Sequence, residues 1–419
     1  MAFNLQAIDN PGRVARDYLS ALSGSGGRLV FSLVYFIVLA NTLSIADFGL
    51  FATASATGVV LSRILSFGYV SPLYRIATVR PALIGTYTAG FIMMSVLSLP
   101  VLAVAALAMF QFVFAGQMAL ATFLMVVAAE ALLWRPTEAV IIVNNGMGRF
   151  GRAAVLVITG TVLRAAAALV LLVSVSQTLA DWALLYLIAN AAALALAVVA
   201  FQPRQKLRLR PRLCLRHLRD SLSVCLSDIL FYIQMELDKL MVLALGGAHL
   251  AGVYAIIMRL VDLTAVPIRT FSMMLVQAIM KRPEHGSGRS TRVLLEIGIF
   301  AVSTLGIGLL ALMLHLYPRI LGANIAQAAP LVLLALFIPG LRNLVEYHAE
   351  LLYARGQTLI RAFNLALLAG VKAVLLAWIL ALQGGEAEMV MWLNGAFAAI
   401  YLASALLTYS AIRMPARPI

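Results

Sequence analysis

Nine basic residues of this 419-residue chain sit where apolar side chains are expected. They are Arg28, Arg63, Arg135, Arg164, Lys239, Arg259, Arg269, Arg342 and Lys372, each inside a long hydrophobic run. A guanidinium or ammonium group in such a setting either neutralises a carboxylate or holds an anion. Seven of the nine are Arg, whose rigid fork of donors matches phosphate oxygens. At a bilayer centre an Arg costs about 2.5–3.5 kcal/mol on insertion scales. Nine facing lipid would cost roughly 25 kcal/mol, more than the stability of a typical domain. They are therefore expected to face a protein interior or a wet cavity, and a cationic interior suits an anionic cargo.

Four of the nine have an acid three or four residues away: Arg135–Glu138, Glu236–Lys239, Arg259–Asp262 and Arg342–Glu346. Structural pairing within a polar wall is the expectation there. Arg28, Arg63, Arg164, Arg269 and Lys372 lack such a neighbour and need a partner from another helix, water or cargo. They are the better candidates for anion binding. Arg28 and Arg63 fall near mid-membrane at 1.5 Å of rise per residue. Arg269 lies nearer a span end, within snorkelling reach of headgroups. Arg342, Glu346 and Glu350 follow at i, i+4 and i+8. With Asp228 and Asp262 they could carry a coupling ion or proton, or serve as counter-charge, the favoured reading. His348 reads as a packing residue. No metal-ligand spacing, cofactor motif or P-loop occurs, so no cofactor or metal is expected.

The elements that must position these groups are membrane spans. The chain is 63% hydrophobic and 11% charged, against about 25% charged in a soluble domain. Its mean hydropathy is +0.98. A helical span needs about 20 apolar residues. Twelve such runs are predicted: 19–43, 48–72, 82–110, 118–142, 153–175, 181–201, 221–246, 250–279, 293–315, 328–353, 359–382 and 388–411. The fold class is thus all-α: a polytopic membrane protein with two parallel six-helix bundles around a central cavity. The domains are 1–201, a basic linker at 202–220, and 221–419.

Loop charge predicts the orientation. Cations concentrate on alternate loops, most densely from Arg204 to Arg219, whereas the opposite loops carry only Arg319. The positive-inside rule puts both termini in the cytoplasm. That asymmetry explains the net charge of +14 better than nucleic-acid binding does. The 204–219 run reads as a topology anchor, and Trp182 and Tyr317 as an interfacial belt. The short loops leave no room for a catalytic domain, so an enzyme is not expected.

A weak internal repeat supports the two halves. Asp47-Phe48-Gly49-Leu50-Phe51-Ala52 and Leu250-Ala251-Gly252-Val253-Tyr254-Ala255 lie 203 residues apart, each opening a span. The glycine at this turn is expected to serve tight packing. Parallel repeats of this kind imply rocking of the halves about a central site.

Taken with "IADFGLFATASA", the stretch "ELDKLMVLALGGAHLAGVYAIIMRL" resembles polysaccharide-biosynthesis flippases. These are the O-antigen-type translocases of the multidrug/oligosaccharidyl-lipid/polysaccharide exporter superfamily. The matching residues are Asp238 and Gly252-Val253-Tyr254. The resemblance implies movement of an undecaprenyl-pyrophosphate-linked oligosaccharide to the outer leaflet of a bacterial inner membrane by alternating access. It implies cavity cations on the first, second and eighth helices, here Arg28, Arg63, Arg259 and Arg269. It implies lipid-linked oligosaccharide and membrane lipids as partners, and glycan polymerases or glycosyltransferases as neighbours. Related lipid II flippases usually have fourteen spans, from which twelve is a departure. The alternative within the same architecture is a cation-coupled exporter of small organic molecules, for which a net-acidic cavity is expected.

Overall fold

A computed structural model describes the backbone of residues 11–281, 289–382 and 384–413. Side chains are described from residue 27 onward, excepting 266, 267, 269, 270, 272–289 and 358. Among the described residues the chain is helical and has no strand. Hydrocarbon offers no hydrogen-bond partners, so apolar segments of this length close their backbone bonds internally as helices.

The first half holds α1 (Pro11–Thr42), α2 (Ile45–Ser62), α3 (Val70–Val79), α4 (Ile84–Met109), α5 (Leu120–Ala128), α6 (Arg135–Gly146), α7 (Phe150–Val173) and α8 (Leu179–Leu196). A π turn at Ala129–Trp134 joins α5 to α6. The short α9 (Pro211–Arg216) follows the basic segment. The second half holds α10 (Leu218–Lys281), α11 (Arg289–Leu316), α12 (Ala323–Leu334), α13 (Ile338–Ala354), α14 (Thr358–Ala381) and α15 (Glu386–Ile412). Each predicted run overlaps helical backbone, although 48–72 and 328–353 are interrupted. Eight described helices are long and apolar enough to cross a membrane on their own, and the bent α12–α13 pair makes nine.

Local chemistry sets the helix ends. The Ser44 hydroxyl caps α2 by accepting from the Asp47 amide at 3.0 Å. Thr178 and Asp181 form a capping box at α8. A 64-residue straight helix would reach about 96 Å, three times a bilayer's apolar thickness. The chain breaks α10 at Gly247, whose φ of 79° lies in the left-handed region. This break separates the predicted runs 221–246 and 250–279.

Two span boundaries need correction. The run 48–72 is not one helix: α2 stops at Ser62, and Ser66 and Phe67 adopt φ of 63° and 48°. Such conformations cost non-glycine residues about 1–3 kcal/mol each unless the surroundings hold them. Here the Ser66 amide donates to the Ser98 hydroxyl at 3.0 Å. The run 328–353 is bent by 73° between α12 and α13, where Pro339 sits in the first turn of α13.

The two halves meet mainly where α2 lies along α10, with α1 reaching α10 and α12. The end of α1 is tied to the start of α12. Asn41 Nδ2 donates to the Leu321 carbonyl, and Asn324 Nδ2 to those of Ala40 and Leu43, each at 2.8 Å. One apolar cluster runs through both halves and contains Phe36, Phe51, Phe123, Trp182, Tyr254 and Ile307. Trp182 is fully buried, against the expectation of an interfacial position. It packs on Tyr35, Phe51 and Tyr186. Tyr317 is exposed.

Candidate functional site

All eight predicted intramembrane cations whose side chains are described line one of three internal cavities. The ninth, Arg269, lies outside the described side chains.

The first cavity, of about 260 Å³, lies where α1, α2, α7, α8 and both stretches of α10 converge. Its wall carries Arg28, Arg164, Lys239 and Arg259 beside Glu130 and Asp262, an excess of two positive charges. Arg259 donates to the Ser32 hydroxyl on α1, bridging the halves. Arg164 is held from two directions: its Nε donates to the Gly160 carbonyl at 3.1 Å, and its guanidinium lies 4.3 Å over the Trp134 ring. Lys239 pairs with Glu236 at 2.5 Å, as its spacing predicts. Glu130 accepts from Tyr186 at 2.5 Å and Ser55 at 2.7 Å. Tyr35, Phe48, Phe51 and Tyr186 complete an aromatic wall.

The second cavity, of about 520 Å³, sits at the helix ends adjoining the basic segment. Arg63 lines it, so Arg63 and Arg28 do not share a compartment. Arg63 also has a carboxylate partner, which no residue within its own helix supplies. Glu138 lies 3.1 Å from its Nη1 and 2.7 Å from Arg135 Nη1. The predicted Arg135–Glu138 pair is thus one side of a three-residue cluster. The Arg63 guanidinium lies 4.2 Å over Tyr232. Asp228 and Glu350 face the same cavity, and Glu350 pairs with Arg361 at 3.2 Å.

The third cavity, about 10 Å³, has room for one water and lies inside the second half. Arg342, Glu346 and Lys372 line it. Lys372 pairs with Asp238 at 3.2 Å and donates to the Gln234 carbonyl at 2.8 Å. Tyr254 donates to the same Asp238 at 2.6 Å. Lys372 therefore joins α14 to α10 and is not presented to a cargo space. Arg342 reaches between helices to Asp262 at 3.3 Å. The expected charge stripe on α13 divides, with Arg342 and Glu346 in the small cavity and Glu350 in the large one.

Sequence reasoning missed four residues, of which Glu296 lies outside the linings of the three cavities. Arg361 reads as a loop cation yet stacks between Phe231 and Tyr353. The polar lining from Ser55 and Tyr186 carries no sequence signal. Glu296 accepts from Tyr401 at 2.8 Å and from Tyr409, and meets His348 Nε2 at 3.1 Å. His348 Nδ1 lies 3.0 Å from Ser404 Oγ, in keeping with its reading as a packing residue.

No protein-family model matches the chain. No curated protein matches it either. Solved structures do. The MATE multidrug transporter DinF-BH, solved as a ligand complex, is 15% identical, with a TM-score of 0.63 and 96% of each chain covered. The lipid II flippase MurJ, in an inward closed conformation, is 12% identical, with a TM-score of 0.62 over 95% of this chain and 88% of MurJ. A MATE structure in complex with MaL6 is 13% identical, with a TM-score of 0.58 over 96% and 97%. At these identities the likeness is one of fold: the chain is a polytopic membrane protein with the helical fold shared by MATE transporters and the MurJ flippase.

Proposed function

We propose that the chain moves a lipid-linked saccharide bearing a pyrophosphate across a bacterial inner membrane by alternating access. The observation that carries this reading is the first cavity. It lies between the halves and holds four cations against two carboxylates. Arg28, Arg164 and Arg259 would hold the pyrophosphate, whose oxygens suit guanidinium forks. Transport requires that the anion also leave, so it would be held by a few guanidinium groups in a wet cavity rather than in a closed cage. The domains 1–201 and 221–419 would rock about the α2–α10 contact, with residues 202–220 as the cytoplasmic link and both termini on that side. Glycosyltransferases that build the saccharide and a polymerase that consumes it are the expected neighbours. The test is deletion in the source organism followed by complementation. Deletion should abolish surface glycan, wild type should restore it, and Arg164→Gln or Arg259→Gln should not. Normal glycan in the deletion strain would overturn the reading.

A second reading rests on Glu130. A carboxylate in a wall of Tyr35, Phe51 and Tyr186 is suited to an organic cation. The chain would then be a cation-coupled exporter of small organic molecules. Loss of efflux of a cationic dye on deletion, with glycan unchanged, would favour it.

A further inference from the structure

We infer that the second cavity is a saccharide-binding vestibule, separate from the compartment that takes the pyrophosphate; this rests on the flippase reading above. The two cavities differ in charge. The second carries Arg63, Arg135 and Arg361 against Glu138, Asp228 and Glu350, which balances to zero. A neutral wall gives an anion no net attraction, whereas alternating donors and acceptors suit a ligand rich in hydroxyls. Each carboxylate can accept from two vicinal hydroxyls, and each guanidinium can donate to ring and hydroxyl oxygens.

Aromatic rings also line the cavity, some of them carrying a guanidinium group on one face. Tyr232 lies under Arg63 at 4.2 Å, and the Arg361 guanidinium stands 5.2 Å from Phe231 and 5.3 Å from Tyr353. Tyr74 and Tyr353 are exposed at 48% and 44%. The C–H face of a sugar ring is weakly positive and packs on the negative face of an aromatic ring. The guanidiniums of Arg135 and Arg361 each keep a buried Nε without a hydrogen-bond partner. Such donors are costly unless a ligand or water satisfies them. The volume of about 520 Å³ falls in the range of ligand pockets, about 300–1,000 Å³. A saccharide seated here would extend away from a pyrophosphate in the first cavity, toward the basic segment.

The experiment compares two lipids on the purified full chain: the lipid-linked saccharide extracted from the deletion strain, and bare polyprenyl pyrophosphate. Wild type should bind the saccharide-bearing lipid more tightly. Tyr232→Leu with Tyr353→Leu should weaken that lipid about fivefold and the bare lipid less than about twofold. Phe at both positions keeps the aromatic faces and should restore the preference, which a merely structural effect would not do. If both lipids bind and the Leu variant keeps the wild-type preference, the vestibule assignment is overturned. If neither lipid binds wild type, the functional reading falls, and the vestibule with it.

Discussion

Gly49 on α2 and Gly252 on α10 lie backbone against backbone, although 203 residues separate them in the chain. They are the equivalent positions of the internal repeat, so the two copies of the motif meet at the contact that joins the halves. A Cβ on Gly49 would stand 2.8 Å from Gly252 Cα, and one on Gly252 would stand 2.7 Å from the Ile45 carbonyl carbon. Backbone atoms cannot swing away as a flexible side chain can. Gly252→Ala should therefore cost about 1–3 kcal/mol, read as a lower thermal transition in detergent. Gly395→Ala, which meets nothing within 4 Å, is the control and should be neutral or stabilising. Equal behaviour of the two variants would refute the close approach.

Lys372 and Asp238 form the most deeply buried ion pair of the described residues, with side chains 3% and 1% exposed. Removing one partner strands the other charge. Lys372→Met should destabilise by roughly 3–5 kcal/mol. The double variant Lys372→Met/Asp238→Asn should recover most of that. A double-mutant cycle on thermal stability reads this directly, and additive costs would show the pair to be uncoupled.

Glu138 neutralises two arginines, whereas the two arginines share that one carboxylate. Glu138→Gln should therefore destabilise more than Arg63→Gln or Arg135→Gln, because either Arg variant leaves Glu138 one cationic partner. A gap of about 2 kcal/mol is expected from the cost of leaving buried charge unpaired. A loss on Glu138→Gln no larger than that on either arginine variant would overturn this shared-carboxylate arrangement.

Charge in the first cavity separates the two functional readings. Glu130→Gln keeps the shape of the side chain and raises the excess positive charge by one. A transporter of an anion should keep or improve glycan delivery, while an exporter of organic cations should lose dye efflux at least about tenfold, the loss expected when a desolvated cation–carboxylate contact is removed. Arg164→Gln should do the reverse. Complementation and efflux assays on matched protein levels give the answer. Glycan delivery lost in Glu130→Gln but kept in Arg164→Gln would sink the anion reading.

Much of the fold was legible in the chain because the bilayer constrains it so strongly. Apolar runs near 20 residues have few alternatives to spanning helices, and the cost of bare charge in lipid predicts that the cations point inward. The predicted gap between the runs 221–246 and 250–279 falls at the break in α10 at Gly247. The end of α2 was hidden, because Ser66 and Phe67 adopt left-handed backbone conformations that composition does not signal. Trp182 was misread for a related reason: its type suits an interface, but Tyr35, Phe51 and Tyr186 enclose it.

The sequence by itself determined that this is a many-helix membrane protein with buried cations, and it located those cations along the helices. Only the tertiary structure decided which cavity each one lines and which carboxylate it meets. The Arg135–Glu138 and Glu236–Lys239 pairs were readable because a turn of about 3.6 residues stacks them on one face. Glu138 meeting Arg63, and Lys372 meeting Asp238 from a distant helix, depend on the rotation and depth at which helices pack. Those are settled by side-chain interdigitation between segments remote in the chain, and no local spacing encodes them.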